Sequence, residues 1–196
     1  QGTKENGGGL NWGLTLSNLG SKISYSSDAT QKDFIPANLG IGLAYTKAFD
    51  EANKITFALD LNKLLVPTPP KLGTGTDSAT IANNNSALLK YRDRGVASSW
   101  LKSFGEGDGI NEEIQEITAA IGAEYWYNNQ FGFRAGYFYE NANKGNRKYF
   151  TVGASIKYNV ATLNFSYLFP SGNGINRNPL SNTYRFGLVF DFPGGK

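Results

Sequence analysis

The chain's richest chemical groups are carboxylates, and their spacing excludes more than it offers. Glu106, Asp108, Glu112 and Glu113 gather around Asn111, an oxygen-rich set of the kind that can hold calcium. The set lacks the spacing of an EF-hand loop and reads first as a solvated acidic loop. Glu124 and Arg134 flank Asn129, where a hairpin would bring an acid opposite a base. There is no histidine and no cysteine. That removes Ser-His-Asp and thiolate nucleophiles, zinc-thiolate sites and the usual general base. A Ser-Lys pair exists on paper but no motif frames one. The formal net charge of +3 comes from scattered residues, so no basic footprint for nucleic acid emerges. The expected chemistry is binding without catalysis, with no cofactor and no metal.

The elements that would position these groups have a period of two. In the final segment Tyr184, Phe186, Leu188, Phe190 and Phe192 share one face, against Thr183, Arg185, Gly187, Val189 and Asp191 on the other. Alternation of this kind is a β-strand. The pattern repeats with Leu163, Phe165, Tyr167 and Phe169; with Phe150, Val152, Ala154, Ile156 and Tyr158; with Phe131, Phe133, Ala135, Tyr137 and Tyr139; and with Ile117, Ala119, Ile121, Ala123, Tyr125 and Tyr127. Upstream, Leu10 to Ser17, Lys22 to Ser26, Asn38 to Phe49 and Lys54 to Leu65 complete nine expected strands. With a three-residue turn centred on Asn129, Glu124 and Arg134 fall opposite one another on the polar face, which predicts an ion pair.

The polar face selects the architecture. It is built from Gly, Ser, Thr and Asn with few charges, and aromatics gather near strand ends, as in Tyr125-Trp126-Tyr127 and Tyr137-Phe138-Tyr139. A soluble sandwich carries many Lys and Glu on its outer face. An apolar face rimmed by aromatics, over a small polar one, describes a transmembrane antiparallel up-and-down β-barrel with lipid outside. No apolar run reaches the ~18 residues of a membrane helix, so any spanning is by strands. Lys47 is the main charge on the lipid side, near a strand end from which it can snorkel. Residues 1–196 are expected to form one outer-membrane domain.

The connections alternate. Residues 18–20, 50–53, 128–130 and 159–160 are short; residues 27–37, 66–112, 141–147 and 170–181 are long. Short periplasmic turns and long extracellular loops are the rule for such barrels. Nine strands would start the chain outside the cell and end it in the periplasm, which implies further strands upstream. Val66-Pro67-Thr68-Pro69-Pro70 ends a strand because proline cannot donate to a ladder. Within 66–112, residues 71–85 are expected to be mobile, and Ser86 to Tyr91 and Val96 to Phe104 to form about two helical turns each. The apolar and aromatic residues of this connection either fold it onto its own barrel or contact a partner; for a partner the candidate contacts are Tyr91, Trp100, Leu101, Phe104 and Asp108, with Ile175 and Arg177 in the last long loop.

Several stretches together resemble the PorV family. They are Ser17-Asn18-Leu19-Gly20-Ser21-Lys22-Ile23-Ser24-Tyr25, Phe34-Ile35-Pro36-Ala37-Asn38-Leu39 and Leu61-Asn62-Lys63-Leu64-Leu65-Val66-Pro67-Thr68-Pro69-Pro70, then Gly122-Ala123-Glu124-Tyr125-Trp126-Tyr127, Arg134-Ala135-Gly136-Tyr137 and Asn143-Lys144-Gly145-Asn146-Arg147-Lys148-Tyr149-Phe150. The resemblance implies a FadL-like outer-membrane barrel of about fourteen strands, with this chain supplying eight to nine C-terminal ones. It implies a non-enzymatic component of the type IX secretion system. Such a protein binds cargo C-terminal signal domains leaving an SprA (Sov)-type translocon and passes them to a PorU-type sortase. Transport of hydrophobic small molecules through a FadL-like barrel is the alternative, and a purely structural or adhesive barrel a third.

Overall fold

The computed structural model describes residues 2–3, 8–24, 32–105, 110–171 and 182–192. In chain order its elements are β1 (Gly2–Thr3), β2 (Gly9–Ser17), β3 (Ile23–Ser24), β4 (Lys32–Asp33), β5 (Asn38–Ala48), β6 (Asn53–Leu64), α1 (Ser78–Asp93), α2 (Val96–Lys102), α3 (Ile110–Gln115), β7 (Ile117–Tyr127), β8 (Phe131–Tyr139), β9 (Lys148–Tyr158), β10 (Ala161–Pro170) and β11 (Thr183–Phe190), with a 3-10 turn at Ala142–Lys144. Nine strands form one sheet in the order β1-β2-β5-β6-β7-β8-β9-β10-β11, while β3 and β4 pair separately. From β7 to β11 every ladder is antiparallel between chain neighbours. Among the described residues no ladder joins β1 to β11. Among the described residues, no helix is long and apolar enough to cross a membrane.

Two compact units divide the chain. The first, Gln1–Leu14, Gly40–Asn62 and Ile117–Lys196, holds most of the sheet; the second, Thr15–Leu39 and Lys63–Glu116, holds β3, β4 and the three helices.

Within the first unit the usual relation between polarity and burial is reversed. Leu163 and Ile156 lie opposite each other in the β9–β10 ladder and are 51% and 53% exposed, and Phe186 is 76% exposed. Behind them Ser155 is 2% and Thr162 8% exposed. The buried hydrophobic residues among those described are Ala37, Leu65 and Leu168, far too few for a sheet stabilised by a dry core. Large apolar side chains outward and small ones inward also let the polar faces of neighbouring strands sit close. Gly122 pairs with Gly136, and Gly136 with Thr151.

The short turns follow from asparagine. Asn128, Asn129 and Asn159 have φ of 51°, 53° and 53°, a left-handed backbone that asparagine tolerates better than other non-glycine residues. Each turn is then stitched to the next. Asn128 N–H donates to Ala52 C=O at 2.6 Å, Lys157 N–H to Gln130 C=O at 2.7 Å, and Asp191 N–H to Val160 C=O at 2.8 Å. In the β5–β6 turn Asp50 accepts from Ala52 N–H and Asn53 N–H at 2.8 and 2.7 Å.

Two expectations need correction. The segment at 22–26 does not join the main sheet: Ile23 pairs with Asp33 and Ser24 with Lys32. The side chain of its neighbour Lys22 is held by carbonyl groups of the helical connection. The sheet therefore has eight long strands and the two-residue β1, and the parity argument for an odd count falls away. With residues 18–37 as one connection, long and short links alternate from β2 to β11. Residues 71–85, expected to be mobile, include the first half of α1. Asp77 is the reason, since its carboxylate accepts from Thr80 N–H at 2.9 Å and Thr80 O–H at 2.6 Å, an N-cap that a Gly, Thr and Ser-rich sequence hides. Those hydrogen bonds, from the Thr80 side chain first, hold Asp77 below the ordinary aspartate value. The strand expected from Ile117 begins there, directly after α3.

Candidate functional site

On the polar face of the sheet, β6 to β9 line an open cavity of about 420 Å³. The ladder sets Glu124 directly opposite Arg134. Arg134 Nε donates to Glu124, and Arg134 Nη1 donates to Asn164 Oδ1 at 3.1 Å. Glu124 also accepts from Trp126 Nε1 at 2.6 Å, and the Trp126 ring lies 5.8 Å from the guanidinium. Asn164 in turn accepts from Ser155 Oγ at 2.7 Å. Both charges are therefore neutralised within a connected network spread over β7, β8, β9 and β10. Phe138 and Tyr149 stack at 4.8 Å and 11° at another wall of the same cavity.

Beyond β8 the chain makes a second, less exposed ion pair. Glu140 is 4% exposed and accepts from Arg147 Nε and Nη2, both at 2.7 Å. Gly145 makes the approach possible: its φ is +138°, and a Cβ there would lie 2.3 Å from Glu140 Oε2. Burial opposes ionisation of Glu140, yet the hydrogen bonds and charge of Arg147 outweigh it and hold the carboxyl below its ordinary value of 4.5. A folded pKa below the unfolded one gives stability that is full above the unfolded value and lost as pH falls through the folded one. Acid unfolding should therefore steepen below pH 4.5, and the Glu140→Gln protein should lack that component. Equal acid sensitivity of the two, measured by urea titration at stepped pH, would contradict the assignment.

In the second unit a lysine organises the helical connection. Lys22 Nζ donates to the carbonyls of Arg92 and Arg94 and lies 4.5 Å from the Phe34 ring. A cation here satisfies carbonyls that the end of α1 leaves free and opposes the negative end of its dipole. Tyr91 O–H donates to Pro67 C=O at 3.3 Å, and its ring meets Phe34 edge-on at 5.4 Å. Lys63, 8% exposed, binds Glu113 at 2.8 Å and Glu116 at 2.6 Å, with its ammonium 5.6 Å from the Phe104 ring.

The candidate contacts separate accordingly. Tyr91 is half-buried and tied to the Pro67 segment, and Trp100 is half-buried on α2, whereas Leu101 is 79% and Phe104 51% exposed. Asp108, Ile175 and Arg177 lie outside the described residues, as do Glu106 and the 193–196 tail. Of the acidic cluster, Glu113 is engaged by Lys63. Among the described residues no group of three or more acidic side chains is arranged to hold a metal ion. Sequence reasoning missed Lys22, Lys63, Glu140 and Arg147. Only the last pair left a trace, as an acid and a base bracketing a short Asn and Gly-containing turn.

Residues 4–71 match the model of a known family, described as type IX secretion system protein PorV. Over those residues the chain is similar to that family. No curated protein matches the chain. The PorV span runs through β2, β5 and β6 and ends just past the proline cluster, so it contains both Lys22 and Lys63. The matched family is that of a type IX secretion system protein. The all-β sheet with its exposed apolar face is in keeping with an outer-membrane β-barrel protein of that system.

Proposed function

We propose that this chain forms part of the wall of a FadL-like outer-membrane barrel. In this reading it receives secreted cargo through its C-terminal signal domain at an SprA-type translocon and delivers it to a PorU-type sortase. The apolar face meets lipid, the polar face lines the lumen, and the longer connections are extracellular. Further strands pairing the β1 and β11 ends complete the cylinder, because a lipid-exposed edge would leave backbone donors and acceptors unsatisfied.

The observation that carries this reading is the PorV match; the inverted burial of Ile156 and Leu163 against Ser155 and Thr162 supports the membrane setting. Cargo and translocon contact is assigned to the α2 region. Leu101 and Phe104 expose large apolar surface beside Lys102, and exposed apolar anchors of this kind mark protein-binding surfaces. Deleting residues 71–105 from the full-length protein in its source cells should leave the barrel in the membrane while cargo release and translocon co-purification collapse. Normal release and co-purification would overturn the shuttle reading. Uptake of a labelled fatty acid by the intact barrel in liposomes would instead favour small-molecule transport.

A further inference from the structure

The cavity on the polar face has an unmatched charge. Asp60, Glu124 and Arg134 line it, and Glu124 and Arg134 neutralise each other. Asp60 has no hydrogen-bond or ion-pair partner among the described residues, and it is exposed to the cavity solvent. Its position is set by what is missing on the next strand. A Cβ on Gly42 would stand 2.6 Å from Asp60 Oδ1, so the carboxylate occupies the space that glycine vacates. Across the cavity Tyr149 and Phe138 present a stacked aromatic wall, and Thr151 adds a hydroxyl. One free carboxylate, one aromatic wall and a volume of about 420 Å³ make a receptor for a cation on an apolar stem. The carboxylate supplies the charge-assisted hydrogen bond, and aromatic faces attract cations. A carboxylate or phosphate ligand would meet Asp60 as a like charge, with Arg134 already engaged.

We propose that this cavity is a binding site for a primary alkylammonium group. Its source is either a free aliphatic amine or the side chain of a lysine in a polypeptide that enters the polar side of the sheet. The site stands on the sheet's own geometry and does not depend on the secretion role.

Calorimetric titration of the full-length protein in detergent separates these sources and tests the site. The probes are 1-aminopentane, a lysine pentapeptide blocked at both ends, and 1-pentanol as the uncharged match for the first. Saturable binding of the amine, the peptide or both, with none by pentanol, is the expected result; the amine alone assigns a free-amine ligand, and the peptide a lysine. Asp60→Asn should weaken binding about tenfold, as loss of a hydrogen bond to a charged group does. Gly42→Ala should weaken it too, by pushing the carboxylate aside, while Glu51→Gln in the β5–β6 turn leaves it unchanged. Equal binding of pentanol and amine, no saturable binding by either cation, or undiminished affinity in both Asp60→Asn and Gly42→Ala would overturn the proposal.

Discussion

Replacing Lys63 by methionine should destabilise the helical connection more than any other single change considered. The ammonium is the shared partner of Glu113 and Glu116, whose side chains are 22% and 12% exposed. Methionine fills the same length and removes the ammonium that the two carboxylates share. Breaking a buried ion pair from one side costs about 3 to 5 kcal/mol; the partial exposure of Glu113 places the expectation near the lower figure. One oxygen, Glu113 Oε1, is already buried without a hydrogen-bond partner, so the cluster has no spare donor to absorb the loss. Hydrogen exchange should show α2 and α3 opening, with β7 to β11 protected as before. The triple variant Lys63→Met, Glu113→Gln, Glu116→Gln should recover most of the loss, because the charges that the ammonium served are removed with it. Unchanged exchange in Lys63→Met would mean that the ion cluster does not hold the connection.

A charge placed on the apolar face should have the next largest effect. Leu14 and Thr15 are neighbours on β2, both exposed, and they point to opposite faces. Arginine at a lipid-facing site near mid-bilayer costs about 2 to 4 kcal/mol. Leu14→Arg is therefore expected to lower folding stability in vesicles by about that much. Thr15→Arg, on the polar face that already carries Arg185 and Arg134, should change it by less than about 1 kcal/mol. Urea titrations in lipid vesicles measure both. Equal costs would remove the distinction between a lipid face and a wet one.

What the sequence showed well was whatever repeats. The period of two in β7 to β11 located strands to within a residue or two, and Asn128, Asn129 and Asn159 marked turns because few other side chains accept a positive φ. The pairing of Glu124 with Arg134 followed from the turn between them. Contacts between distant segments left no such trace. Lys22 and Lys63 read as ordinary members of strand-like stretches, and their partners lie 70 and 53 residues away across a connection without periodicity. The helix at Ser78–Asp93 was hidden for a related reason. Its Ala, Asn and Ser-rich first half has no apolar stripe, so its evidence is the Asp77 cap and the lysine at its far end. Asp60 was visible as a polar-face residue, but its exposure depends on Gly42 of the adjoining strand.

The account turns on which face of the sheet meets lipid, and a nitroxide scan of β10 reads that directly. The chain has no native cysteine, so residues 162 to 168 can each be replaced by cysteine, spin-labelled and reconstituted. Labels at Leu163, Phe165 and Tyr167 should be accessible to oxygen dissolved in the bilayer and shielded from a water-soluble nickel chelate. Labels at Thr162, Asn164, Ser166 and Leu168 should be shielded from oxygen, giving a period of two along the strand. Shielding of 163, 165 and 167 from both reagents, or no alternation at all, would contradict a membrane-facing apolar surface and with it the proposed export role.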